Sequence, residues 1–227
     1  LSAMGVDKTG IKSNIGFYVY KKAGLLGSET SSAAVYLNGK YLGLYSFIES
    51  VDADFFKVRG LKAQSLYKAK LSGGTFKKDL LQDIKAGFTV DIEPENHVHL
   101  IHLIETLNEE SSTENREKLE KLLDIGNFLQ YLAASNYLNN WDSVENNFLI
   151  YRGTGTEKFQ FLPWDLDHQF ENRMANSQRI ELFATGWTIS DKIFSYPEYQ
   201  TQYLEILTNL LNKTLPTSEF IERCNSE

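Results

Sequence analysis

The order of apolar and polar residues predicts a β-rich first part of the chain and a helical second part. Aromatic and β-branched runs at 33–37 and 41–48 flank Asn38-Gly39. Asn-Gly is a strong hairpin signal because both central residues of a type I′ turn need positive φ. Residues 15–20 and 65–69 have the composition of further strands. We therefore expect a small antiparallel sheet, with one short helix, in the first third of the chain.

From residue 95 onward the apolar residues recur at helical spacing, as in the stripe between Leu100 and Leu107. Asp124 is a candidate N-cap for a helix that ends near Asn139-Asn140. Strands followed by helices are typical of the α+β class. We predict a small antiparallel β-rich N-lobe at residues 1–94 and a mainly helical C-lobe at residues 95–227.

A second hairpin is embedded in the helical part, with strands at 148–152 and 159–162 around a Gly-containing turn. Polar side chains lie at both of its outer ends: Asp142 and Asn147 precede the first strand, and Asp165 and Asp167 follow the second. Because a hairpin returns the chain to its starting point, these side chains are expected at one end of the ribbon.

Three carboxylates and an amide in one place repel each other unless a cation lies among them, and Mg²⁺ takes such oxygen ligands together with substrate phosphates. In protein kinases the catalytic Asp is followed five positions later by a metal-binding Asn, and a second metal-binding Asp follows a hairpin. Asp142, Asn147 and Asp165 have that spacing. The usual His-Arg-Asp and Asp-Phe-Gly motifs are absent, so a kinase here would be atypical.

On this interpretation Asp142 orients or deprotonates an acceptor hydroxyl, while Asn147 and Asp165 hold Mg²⁺ or Mn²⁺. The alternative for Asp142 is an ordinary turn residue after a helix. Asp167 is a second metal ligand or a structural acceptor. In an extended segment residues 165 and 167 share one face, and Leu166 points into the core.

Two further features could contact phosphate. Lys68 lies in a predicted strand, where it is either a point charge for phosphate or a solvated lysine. The Ser-Gly-Gly-Thr run at 72–75 resembles a phosphate loop but lacks the Gly-Lys-Ser/Thr ending. We favour an ordinary surface turn for this run.

The composition narrows the class of protein further. The 227 residues carry a net charge of −7, which argues against nucleic-acid binding and favours a basic partner or a bound cation. The single cysteine, Cys224, excludes an internal disulfide. No apolar run is long enough to predict a membrane span. Because the sequence starts at Leu1 without an initiator Met, we expect an N-terminally truncated fragment.

The motifs around the second hairpin resemble the CotH family of spore-coat proteins, which are atypical secreted or surface protein kinases. The resemblance covers most of residues 33–170. It rests on these runs: Val-Tyr-Leu-Asn-Gly-Lys-Tyr-Leu-Gly-Leu-Tyr (35–45), Leu-Asn-Asn-Trp-Asp (138–142), Asn-Phe-Leu-Ile-Tyr (147–151) and Phe-Leu-Pro-Trp-Asp-Leu-Asp (161–167).

The resemblance implies an atypical kinase-like fold and Mg²⁺-dependent transfer of the ATP γ-phosphoryl group to Ser or Thr of a protein. It implies that Glu49 faces the nucleotide cleft and that the protein is extracytoplasmic, at the cell surface or in the spore coat. The acidic charge favours a Lys/Arg-rich substrate, and transfer to Ser or Thr hydroxyls adds Ser to the expected substrate. The family usually has a basic, Ser-containing segment before the first strands, which we do not find here and which can supply a phosphate-binding residue. Asn146 stands where members often have His.

Three other interpretations stay open. Asp165-Leu166-Asp167 is an Asp-x-Asp motif, which nucleotide-sugar transferases use to hold Mn²⁺. A Mg²⁺-dependent phosphohydrolase would release phosphate without labelling protein. A non-catalytic coat, scaffold or adhesion module would keep the fold without turnover.

Overall fold

The structure is a computed structural model that describes residues 2, 5, 7, 9–71, 73–156, 158–170 and 182–227. Its helices are α1 (Lys12–Lys22), α2 (Ala53–Lys57), α3 (Ile84–Gly87), α4 (Val98–Leu107), α5 (Thr113–Leu122), α6 (Ile125–Tyr137), α7 (Thr188–Phe194), α8 (Pro197–Asn209) and α9 (Thr217–Ser226). A 3₁₀ turn covers Lys78–Leu81, and a π-helical turn, Leu210–Thr214, follows α8. The strands are β1 (Thr30–Leu37), β2 (Lys40–Ile48), β3 (Ala63–Ala69), β4 (Phe88–Ile92), β5 (Phe148–Gly153) and β6 (Phe159–Pro163).

Within the described residues the strands form two antiparallel sheets, which confirms the α+β class. One is the β1–β2 hairpin, and the other has the order β4-β3-β5-β6. Strand β3 pairs with β5, so the four-stranded sheet joins segments from both sides of residue 94. The two-lobe, kinase-like arrangement and its boundary at residue 94 stay predictions.

Strand β5 is buried on both faces because a hydrophobic cluster packs against each face of the four-stranded sheet. Phe148 and Ile150 belong to the large core that also includes α6, while Leu149 and Tyr151 pack with α2 on the opposite face. The rings of Phe148 and Phe161 lie 4.9 Å apart, and α6 covers them through Tyr131. A doubly buried strand makes a rigid base for the polar residues at its end.

The prediction of a strand at residues 15–20 is wrong, because this segment lies within helix α1. The run of Ile, Phe, Tyr and Val has high β propensity, but the helix is buried on most sides. Ile15, Phe17, Val19 and Tyr20 all join the large core. A helix buried all round has no polar face to produce an amphipathic period, and tertiary packing overrides its propensity.

Both predicted hairpins are confirmed, with Asn38 and Gly39 at positive φ in the β1–β2 turn. Asp124 caps α6, since its carboxylate accepts from the Asn127 amide at 3.0 Å. Strand β4 was missed because residues 70–94 carry no clear period. Among the described residues, no helix combines the length and apolar character that crossing a membrane requires.

Candidate functional site

The two ends of the β5–β6 hairpin meet as the sequence predicts. Phe148 pairs with Pro163, and the Trp164 amide donates to the Asn147 carbonyl at 3.2 Å. Asn147 and Asp165 both have positive φ, near 50°. Asn and Asp tolerate this left-handed conformation better than other residues with side chains, and such conformations cluster at functional sites.

Asp142 is held by the two asparagines that follow it. The Asn146 side chain donates to one carboxylate oxygen at 2.7 Å, and the Asn147 side chain donates to the other at 2.8 Å. The predicted Asp142–Asn147 pair is therefore formed, and both carboxylate oxygens have an amide donor. These bonds fix the direction of the carboxylate.

A buried hydrogen-bond network supports the loop that carries Asp142. The Tyr131 hydroxyl donates to the Ser143 carbonyl at 2.7 Å, and the Ser143 hydroxyl donates to the Asn140 carbonyl at 2.8 Å. The Asn140 side chain donates to the Tyr20 hydroxyl at 3.1 Å, and Tyr20 shares a hydrogen bond with Ser135. The loop is thus tied to α1 and α6 on both sides of Asp142.

A cavity of about 360 Å³ lies beside this hairpin end. It brings together four of the residues predicted from the sequence, which come from three separate segments. Its lining is Ser2, Ser13, Phe17, Ile48, Glu49, Ser50, Lys68, Trp164, Asp165 and Asp167. Asp142 and Asn147 do not line it, and they connect to it through the Asn147–Trp164 backbone bond.

The prediction that Asp165 and Asp167 share one side while Leu166 enters the core is confirmed, although the expected extended backbone is wrong. Leu166 is buried, and both aspartates line the cavity. Asp165 is left-handed, and a turn follows it. A turn can place alternate residues on one side just as an extended strand does.

The electrostatics of Asp165 favour a bound cation. The residue lines the cavity and is exposed to solvent, yet the protein atoms around its carboxyl group raise its pKa by desolvation. The negative charge of Asp167 raises the pKa further, whereas Lys68 and His168 act in the opposite direction. A divalent ion between the two carboxylates would favour their ionised forms and so lower the pKa of Asp165.

Lys68 projects from β3 into the cavity, with its ammonium nitrogen 4.1 Å from the centre of the Trp164 ring. This cation–π contact holds the positive charge beside Asp165. The position fits a phosphate-binding lysine. Lys68 is partly buried, and its role in binding phosphate stays a prediction.

Glu49 lines the cavity but is bound by Arg59, which the sequence analysis missed. The two guanidinium nitrogens donate to its two carboxylate oxygens at 2.9 and 2.6 Å, and the Glu29 amide adds a third bond. The hydrogen bonds from Arg59 lower the pKa of Glu49, against the effect of desolvation. Arg59 also stacks on Phe55. No local spacing in the sequence signals this pair, because a turn and α2 separate its members.

The glycine run at 73–74 supports the Asp142 loop, and the predicted surface turn is wrong for Gly74. Gly74 is buried, and its amide donates to the Glu145 carbonyl at 3.0 Å. A Cβ there would lie 2.8 Å from that carbonyl and from the Phe148 ring. The glycine is thus required for close packing. Ser72 lies outside the described residues.

The donor set fits a hard divalent cation that is completed by substrate. No group of three His, Cys, Asp or Glu side chains converges within the described part of the chain. Asp165 and Asp167 supply carboxylates at the cavity, whereas Asn147 donates its side-chain amide to Asp142 and does not line the cavity. Mg²⁺ is commonly held by one or two carboxylates together with phosphates and water.

Fold and site together define an α+β protein with an acidic cavity at the end of a buried hairpin. The chain belongs to the CotH family, since the family model described as "CotH kinase protein" matches residues 1–226. It is similar to the inner spore coat protein H of Bacillus subtilis (strain 168), with 25% identity over 235 residues. The match covers 98% of this chain but 64% of that relative, so the chain spans less than two thirds of the relative's length.

Proposed function

We propose that this chain is a Mg²⁺-dependent atypical kinase that transfers the γ-phosphoryl group of ATP to a Ser or Thr hydroxyl of a protein. One observation carries the proposal: Glu49, Lys68, Asp165 and Asp167 line one cavity beside the fixed Asp142–Asn147 pair. Family membership supports it. Phosphoryl transfer depends mostly on positioning and charge stabilisation, which a few oxygen ligands and one lysine can supply.

In this proposal each residue has a defined part. Asn147, Asp165 and Asp167 would hold Mg²⁺, which neutralises phosphate charge when bound. Lys68 contacts a phosphate oxygen, and Glu49, oriented by Arg59, faces the nucleotide. Asp142 orients the acceptor hydroxyl and accepts its proton as the hydroxyl oxygen bonds to the γ-phosphorus and the bond to the ADP oxygen breaks.

The net charge of −7 favours a substrate that is rich in Lys and Arg, and the proposed transfer to a hydroxyl group adds Ser or Thr to it. The relative is named for the inner spore coat. We extend an extracytoplasmic, spore-coat or cell-surface location to this chain as part of the proposal.

The test is labelling of a peptide rich in Ser, Lys and Arg in the presence of ATP and Mg²⁺, read by intact-mass spectrometry. We expect an added phosphoryl group with the wild-type chain and none with Asp142→Asn. The control is Asp91→Asn, which makes the same change at an aspartate of β4 that does not line the cavity. Phosphate release without peptide labelling would instead favour the phosphohydrolase.

A non-catalytic coat module is the second candidate, and one observation favours it. The Lys–Glu ion pair of protein kinases is not formed here, because Glu49 pairs with Arg59 rather than with Lys68. This candidate predicts no labelling by the wild-type chain and no difference between wild type and Asp142→Asn.

A further inference from the structure

Helix α1 begins at the cavity that contains Asp165 and Asp167. Ser13 and Phe17, in its first turns, line that cavity. The first N–H groups of a helix have no partner within the helix and carry partial positive charge, which makes this end a binding site for anions. Asp7 accepts the Lys12 amide at 2.8 Å, and the first turn itself contains no acidic residue.

Ser13 supplies an independent indication of a ligand. It is 6% exposed, and its hydroxyl has no hydrogen-bond partner among the described residues. Ser13 is thus more than nine-tenths buried and lines the cavity, and its unpaired hydroxyl can be completed only by an atom from outside the chain, either water or a ligand.

Contacts with the segment after β6 fix the start of α1 in place. The Lys12 ammonium donates to the Asp167 carbonyl at 2.9 Å, and the Gln169 side chain donates to the Lys12 carbonyl. At Gly16 a Cβ would clash with the Gln169 side chain and lie 2.8 Å from the Leu166 side chain, so a larger residue would displace both side chains. The helix start and the two aspartates therefore form one rigid unit.

We propose that the start of α1 is a phosphate subsite, in which the Ser13 hydroxyl and the amides of Ser13 and Asn14 donate to phosphate oxygens of a polyphosphate. Lys12 adds positive charge at the same end. The inference rests on the proposed function and deepens it, since it assigns the phosphates of ATP to the α1 side of the cavity. Sequence analysis missed this subsite because it took residues 15–20 for a strand.

The test is calorimetric titration with tripolyphosphate in the presence of Mg²⁺. We expect binding to the wild-type chain, about tenfold weaker binding to Ser13→Ala, and wild-type affinity in Ser13→Thr, which keeps the hydroxyl. The control is Ser190→Ala, because Ser190 is also a buried helical serine whose hydroxyl is unpaired among the described residues, in α7, away from the cavity. Circular dichroism melting checks that each variant is folded.

Equal tripolyphosphate binding by wild type and Ser13→Ala, or no binding by wild type, would overturn the inference. Its failure is distinguishable from that of the proposed function. Binding that depends on Ser13, without phosphoryl transfer from ATP, supports the subsite and refutes the kinase. Normal transfer by Ser13→Ala with unchanged ATP affinity refutes the subsite and supports the kinase.

Discussion

The two halves of the candidate site differ in how complete they are. Asp142 has amide donors on both carboxylate oxygens and a buried network behind its loop. Asp165 instead faces Asp167, and its pKa is raised by desolvation and by that neighbouring charge. The first half is organised by the chain alone, whereas in the proposed function a cation and an anionic ligand would complete the second half. The comparison thus separates the part of the site that folding alone organises from the part for which we propose metal and phosphate binding.

The largest expected effect is on the rate of phosphoryl transfer, which depends on Asp142 in the proposed function. Asp142→Asn should lower turnover by about a thousandfold, because it removes the carboxylate that accepts the proton and orients the hydroxyl. ATP affinity should change little, since Asp142 does not line the cavity. Steady-state kinetics and calorimetry measure the two quantities, and Asp91→Asn is the control. Turnover within tenfold of wild type would remove Asp142 from the proposed mechanism.

The network behind Asp142 should contribute measurably to stability. Tyr131→Phe leaves the buried Ser143 carbonyl without its donor, so we expect a loss of about 1–3 kcal/mol in the free energy of unfolding. Tyr18→Phe is the matched control, because its hydroxyl bonds Glu219 at a partly exposed position and should cost less than about 1 kcal/mol. Urea denaturation compares the two variants. Equal losses of unfolding free energy would show that the buried network stabilises the protein no more than the partly exposed Tyr18 bond does.

A smaller effect is expected for the pair that orients Glu49. Arg59→Lys keeps the charge but loses the two-pronged contact, so unfolding free energy should fall by about 1 kcal/mol at pH 7. Arg59 lowers the pKa of Glu49, so the contribution is present above the ordinary value of 4.5 and is lost as the pH falls through the lowered pKa. The difference in unfolding free energy between wild type and Arg59→Lys, measured by chemical denaturation, should therefore become smaller under acidic conditions. A gap independent of pH would contradict this account.

The smallest effect concerns the negative charge of Asp165, which the folded protein disfavours. Because the folded-state pKa of Asp165 is raised, its ionisation opposes folding once the pH exceeds the ordinary value of 3.8. Asp165→Asn should thus raise the melting temperature slightly at pH 7, and the gain should disappear below pH 3.8, where both states are protonated. Thermal melts without divalent cations test this. A lower melting temperature at pH 7 would show that the charge is already compensated.

Sequence analysis located the site better than it located the elements around it. The positions of Asp142, Asn147, Asp165 and Asp167 followed from one hairpin, since antiparallel pairing brings its two ends together whatever surrounds them. The Asn38-Gly39 turn was equally local. Such features depend on a few neighbouring residues, and the structure contains both.

The features that the sequence did not predict are those that depend on tertiary packing. Helix α1 looks like a strand because its apolar residues are buried on several sides, and only its neighbours decide its state. The role of Gly74 appears only when the Glu145 carbonyl is beside it. Arg59 and Ser13 likewise acquire their importance from residues that are distant in sequence or from the cavity itself.

The most direct test of the account is calorimetric titration of ATP with and without Mg²⁺, on wild type, Asp165→Asn and Asp91→Asn. Asn tolerates the left-handed backbone at position 165, so the variant removes charge without adding strain. We predict Mg²⁺-dependent binding by wild type and Asp91→Asn and its loss in Asp165→Asn. No binding by wild type, or unchanged binding by Asp165→Asn, would contradict the claim that this cavity holds Mg²⁺ and ATP.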